Sequence, residues 1–136
     1  KDMLVTAGGK NIAPQPIERR LLASPFISQA VVIGDARPFV AALIGLHRDS
    51  VRMRLAEEGV EIEGPMEEHP AVRKLVATII DQVNDELSTY QTVKRFEILP
   101  RDLDHDELTP TNKVRRQVVL DNYGELIERL YEQRRA

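Results

Sequence analysis

"QAVVIGDARPFVAALIGL", residues 29–46, holds two nearly continuous apolar runs parted by Asp35-Ala36-Arg37-Pro38. Each run has the length of a strand, and neither alternates apolar with polar residues. Such runs predict strands covered on both faces. The turn between them is too short for a crossover, so the two strands are expected to pair antiparallel. A sheet buried on both sides needs helices above and below it, and the flanking sequence is read with that demand in mind.

Downstream, "RDSVRMRLAEEG" (48–59) reads as a helix stopped by Gly59. Residues 57–70 carry six Glu with Gly and Pro, and are expected to form an exposed acidic connection. From Pro70 to Leu87, the residues Val72, Leu75, Val76, Ile79, Ile80, Val83 and Leu87 recur at helical spacing. "VKRFEILP" (93–100) predicts a strand ended by Pro100, "RDLDHDELTPTNKVRR" (101–116) a polar loop, and residues 117–135 a terminal helical region with Tyr123, Leu126, Ile127 and Leu130 on its apolar side. Upstream, "DMLVTA" and "NIAP" flank Gly8-Gly9 as two extended pieces joined by a hairpin-like turn. Pro14 and Pro16 suit the first turn of a helix that runs through Ile17, Leu21 and Leu22 to about Ser24-Pro25. The expected fold is α/β (α+β): a small mixed three-stranded sheet covered by helices, with an N-terminal two-stranded hairpin.

The 136 residues suffice for one domain with its own core. A net charge of −3 argues against a dedicated nucleic-acid binder, and the absence of cysteine excludes disulfides and thiolate metal sites. The longest apolar run, "FVAALIGL", is far short of the ~20 residues that span a bilayer, so no transmembrane segment is expected. The chain opens on Lys1 rather than Met and is expected to be a piece of a longer protein.

Two short motifs carry chemistry. "TAGGKN" (6–11) lacks the spacing of a phosphate-binding P-loop, so a hairpin turn is its plainest reading. His47, His69 and His105 are too widely spaced to suggest a metal site. "DLDHDE" (102–107) lacks the glycine and ligand spacing of a calcium loop and reads as a solvated acidic loop. "LTPTNK" (108–113) differs in kind. Pro110 restricts both itself and Thr109, and the Thr hydroxyls can bond local backbone. The loop is thus stiffened just before a long cation suited to phosphate or carboxylate oxygens. Arg115 and Arg116 add positive potential. On these residues alone, Lys113 is either a solvated charge or one held out to a substrate.

The two motifs in this order, about a hundred residues apart, resemble the ends of the C-terminal domain of adenylate-forming (AMP-binding) enzymes. "KDMLVTAGGKNIAPQPIE" looks like its opening segment, "LTPTNKVRR" like its lysine motif, and "ISQAVVIGDARPFVAALI" is similar to its central strand pair. "GGKN" and Thr-Pro-Thr-x-Lys point to the long-chain fatty acid–CoA ligase branch. The resemblance implies one mobile C-terminal domain over 1–136, whose partner is an N-terminal domain of the same protein that binds ATP, Mg2+ and the fatty acid. It implies a ligase that activates a long-chain fatty acid as acyl-AMP and then transfers it to coenzyme A. Lys1 falls at the family's hinge position. Gly8, Gly9 and Lys10 match the loop that approaches coenzyme A, and Lys113 matches the lysine that bridges acyl carboxylate and nucleotide. Asn112 stands where many relatives have Gly. The isolated domain is expected to be inactive, and the whole protein to be cytoplasmic, with peripheral membrane association left open. Two other readings stay open: a stand-alone α/β protein-interaction module, and an acyl-AMP ligase that loads a carrier protein.

Overall fold

The computed structural model describes residues 3–132. Two short strands, β1 (Leu4–Val5) and β2 (Asn11–Ile12), pair antiparallel as a hairpin. Helix α1 (Pro14–Leu22) follows, with proline in its first turn as expected. Strands β3 (Ile27–Ile33) and β4 (Val40–Leu46) form the antiparallel pair. Helices α2 (Arg48–Glu57) and α3 (Pro70–Asn84) lead to β5 (Val93–Ile98), which lies parallel to β4. The mixed sheet has the order β3-β4-β5.

Every residue of the central strand β4 is buried. Its side chains divide by the two-residue period of a strand. Val40, Ala42, Ile44 and Leu46 join a core with α1, α2 and α3, through Ile17, Leu21, Val51, Leu55, Val72 and Val76. Ala41 and Leu43 join a second core on the other face, with Val119, Tyr123, Ile127 and Leu130. This is why the 29–46 stretch shows no alternation: neither face of its strands meets water.

Three boundaries differ from the sequence reading. The acidic connection is not wholly exposed. Met66 is buried in the first core, on a short 3-10 turn at Met66–Glu68. Helix α3 stops at Asn84, short of the expected end near Leu87, and the Asn84 side chain binds the start of β5. Its Oδ1 accepts from Val93 N at 2.8 Å and its Nδ2 donates to Val93 O at 2.9 Å. The terminal helical region is two helices, α4 (Arg116–Asn122) and α5 (Gly124–Tyr131), broken at Tyr123. Val119, Tyr123 and Ile127, spaced four residues apart, reach the same core across the break.

One tie crosses between distant segments. Glu18 of α1 accepts from Val32 N at 2.8 Å, while Arg116 donates to Val32 O at 2.9 Å and pairs with Glu18 at 3.0 Å. The start of α4 is thereby fixed to α1 and β3.

Candidate functional site: two lysine hairpins

Lys113 lies at the end of a tight turn. Thr109 O accepts from Asn112 N at 2.8 Å, Thr109 N donates to Lys113 O at 2.7 Å, and Thr109 Oγ1 accepts from Lys113 N at 3.0 Å. Asn112 takes a left-handed backbone with φ 66°. Below the turn, Leu108 and Val114 form an antiparallel bridge, and Arg115 N donates to Glu107 O at 2.8 Å. The polar loop is therefore a small hairpin with Lys113 exposed beside its tip. Among the described residues no carboxylate pairs with the Lys113 ammonium.

The glycine loop repeats this design. Thr6 O accepts from Gly9 N at 2.9 Å, Thr6 N donates to Lys10 O at 3.0 Å, and Thr6 Oγ1 accepts from Lys10 N at 3.1 Å. Gly9 is left-handed, with φ 89°. A Cβ added at Gly8 or Gly9 would meet nothing within 4 Å, so this rim is open. Lys10 is exposed, with its Nζ 5.1 Å from the centroid of the Tyr90 ring. The β3–β4 turn braces the loop: Ala7 N donates to Arg37 O and Ala36 N to Val5 O, both at 2.8 Å.

The two hairpins do not converge. Leu4 and Ile12 root the first in one core, while Leu108 and Val114 pack against the other. They thus stem from opposite faces of the sheet, and among the described residues no hydrogen bond or ion pair links them. Lys1 lies outside the described residues.

The base of the Lys113 hairpin holds a residue that the sequence reading assigned to a solvated acidic loop. Asp102, Asp104 and Asp106 are exposed, but Glu107 has no exposed surface. Its Oε1 accepts from Arg101 Nη1 and Asp104 N, each at 3.0 Å. Its Oε2 accepts from Arg101 Nη2 at 3.0 Å and Asn122 Nδ2 at 2.9 Å. Burial alone would push this carboxyl's pKa up. The hydrogen bonds from Arg101, Asn122 and the Asp104 backbone outweigh it and bring the pKa down to about 2. The only advance signal was an acid beside apolar Leu108, which is too weak to single out Glu107.

The basic run also resolves differently. Arg116 is mostly covered, as described above, and Arg115 Nε donates to Leu108 O at 3.2 Å. Neither is simply a spare charge beside Lys113. Among the described residues no group of three or more His, Asp or Glu could hold a metal ion, and no helix is long and apolar enough to cross a membrane.

A sheet with helices on both faces and a lysine hairpin on each side defines a small α/β module built to present two loops. A family model for the AMP-binding enzyme C-terminal domain matches residues 1–135, and the chain belongs to that family. Long-chain-fatty-acid–CoA ligase FadD15 of Mycobacterium tuberculosis is 39% identical over 136 residues, covering 96% of this chain and 23% of that protein. Long-chain-fatty-acid–CoA ligase ACSBG1 of Rattus norvegicus is 30% identical over 159 residues, covering 99% and 22% respectively. The chain thus spans about a quarter of the length of these curated relatives. Among solved structures, the adenylation domain of a carboxylate reductase from Mycobacterium chelonae superposes with a TM-score of 0.76 at 23% identity, over 95% of this chain and 19% of that one. A fatty acyl CoA synthetase of Mycobacterium tuberculosis gives 0.57 at 17% identity, over 92% and 20%. At these identities the structural matches establish the fold.

Proposed function

We propose that this chain is the mobile C-terminal domain of an ATP-dependent long-chain fatty acid–CoA ligase, and that Lys113 serves its first half-reaction. Joining a carboxylate to the α-phosphorus of ATP brings two anions together, so positive charge is needed where they meet. Lys113 supplies a compact ammonium on a turn stiffened by Pro110 and three hydrogen bonds to Thr109. Domain closure would bring it to the acyl carboxylate and nucleotide and exclude water.

In the second half-reaction the coenzyme A thiol attacks the acyl carbonyl and AMP departs. Gly8, Gly9 and Lys10 are the residues we assign to that step. Their rim has no side chain at the two glycines, which leaves room for a slender pantetheine arm, and Lys10 suits the phosphates. The two hairpins are rooted in different cores, so we assign each to a different orientation of the domain. That placement supports a rotation between half-reactions. Mg2+ would enter with ATP on the N-terminal domain, and no step here passes through it. We assign the whole protein to the cytoplasm.

The observation that carries this reading is the exposed Lys113 ammonium, without a carboxylate partner among the described residues, on a braced tip. Support for the long-chain branch comes from the names of the relatives; a stand-alone interaction module finds none there. The test is Lys113→Ala in the intact protein. Adenylation, followed by pyrophosphate release, should fall by about 10²–10³, while pre-formed acyl-adenylate is still converted to acyl–CoA. Equal loss in both half-reactions sinks the assignment. Supplying a carrier protein's pantetheine thiol in place of coenzyme A separates the two acceptor classes.

A further inference from the structure

We infer that Glu107 is a positioning residue for Lys113, holding the lysine hairpin in register through a buried carboxylate saturated by four donors. This rests on the reading of Lys113 as the adenylation charge. Above its base, the hairpin is a single bridge, Leu108–Val114, with a tight turn on top. So short a ladder has little hold of its own on where its tip points. Glu107 sits one residue below that bridge, and its own backbone O receives Arg115 N from the opposite leg at 2.8 Å. Fixing Glu107 therefore fixes both legs.

The carboxylate fixes it from three sides. Arg101 grips both oxygens at 3.0 Å from the entry to the loop. Asp104 N closes the loop at 3.0 Å, and Asn122 donates at 2.9 Å from the end of α4. The Arg101 guanidinium in turn lies 5.4 Å from the centroid of the Tyr123 ring, at the α4–α5 junction. Two carboxylate oxygens offer about four acceptor sites, and all four are filled. A buried ion pair is seldom the cheapest way to stabilise a fold, since an apolar group of equal size often does as well. What it supplies is direction: two parallel bonds from a planar fork admit one geometry. A hairpin that delivers a cation into a reacting centre needs that, because misplacement by about 1 Å can cost about 100-fold in rate.

The test uses the intact protein with Glu107→Gln, Lys113→Ala and the double variant, each assayed for pyrophosphate release and for thioester formation from pre-formed acyl-adenylate. Glu107→Gln should slow adenylation by about 10–100-fold and leave thioester formation within about twofold. The double variant should be no slower than Lys113→Ala alone, because a misaimed lysine and a missing one fail at the same step. A purely structural Glu107 would instead depress both half-reactions, and its loss would multiply with that of Lys113. Either result overturns the inference, as does unchanged adenylation in Glu107→Gln. Arg101→Gln breaks the same grip from its half-exposed side, and it decides by the same criteria if Glu107→Gln does not fold. If Lys113→Ala leaves adenylation intact, the functional reading itself falls; if only Lys113→Ala is impaired, the positioning role alone falls.

Discussion

Gly9 and Asn112 occupy the same left-handed corner of two turns of one design, with φ of 89° and 66°. Each is followed by a lysine, and each lies three residues after a threonine that closes the turn. Asn tolerates this backbone better than any branched residue, so the turn stands with Asn112 at its corner. Asn112→Gly should therefore change stability by less than about 0.5 kcal/mol, whereas Asn112→Val should cost about 1–2 kcal/mol. Urea denaturation of the two variants separates the cases, and an equal cost in both rules out the left-handed requirement.

The two glycines of the first turn should part company under substitution. Gly9 has a positive φ and Gly8 does not, yet an added Cβ at either meets open space. Gly9→Leu should lower stability by about 1–2 kcal/mol through backbone strain, and Gly8→Leu should cost little. On the assignment of this rim to coenzyme A, both should slow thioester formation in the intact protein while acyl-adenylate still forms. If Gly8→Leu matches wild type in both half-reactions, this rim does not face coenzyme A.

Thr6 and Thr109 should be equivalent in kind. Replacing either by Val removes the hydroxyl acceptor of a lysine backbone N–H, at 3.1 Å and 3.0 Å, while keeping the side-chain shape. Each change should cost about 1 kcal/mol. Hydrogen exchange at Lys10 N should quicken in Thr6→Val and at Lys113 N in Thr109→Val, with the other turn unaffected. Loss of protection in both turns from one substitution would contradict their independence.

Acid should find Glu107. Its carboxyl is held down to about 2 in the folded protein, against an ordinary 4.5. A group with a depressed folded pKa contributes stability that is complete above its unfolded value and is lost as pH falls through its folded one. The stability gap between wild type and Glu107→Gln should thus be constant above about pH 5, and shrink from about pH 4.5 toward pH 2. Denaturant midpoints measured across that range give the answer, and a gap that stays constant to pH 2 denies the shift.

The chain on its own should unfold as one cooperative unit and make no acyl–CoA. Both cores are built from its own strands and helices. Leu43 has no exposed surface at the centre of the sheet, and Leu43→Ala should cost about 2–5 kcal/mol. Turnover of fatty acid, ATP and coenzyme A to acyl–CoA by this chain alone would refute the division of the site between two domains.

What was legible in the sequence was the part written in periodicity or turn chemistry. The unbroken apolar runs of β3 and β4 announced a sheet covered on both faces, and the spacing from Val72 to Ile80 announced α3. Gly8-Gly9 marked the first turn and Pro110 the stiffened approach to Lys113, because both are local needs met by local residues, while the Leu108–Val114 bridge that makes the second loop a hairpin was not foreseen. Glu107 was missed for the opposite reason. Its partners at 101, 104 and 122 come together only after the chain folds, and an acid among acids looks solvated. The same holds for Arg116, which looked like part of a basic run but is committed to Glu18 and Val32 far upstream. That Asn84 would mimic backbone for Val93 likewise depends on a contact that periodicity does not encode.

The Glu18–Arg116 pair has a consequence for how the domain behaves in company. Strand β3 is an outer strand of the sheet, and an outer strand with spare peptide groups is a template on which another chain can lay itself down. At Val32 both groups are already engaged, the N–H by Glu18 and the C=O by Arg116. An incoming strand would have to break a mostly covered ion pair before it could pair with Val32. At Val32 the Glu18–Arg116 pair thus blunts the open rim of the sheet against the addition of a foreign strand.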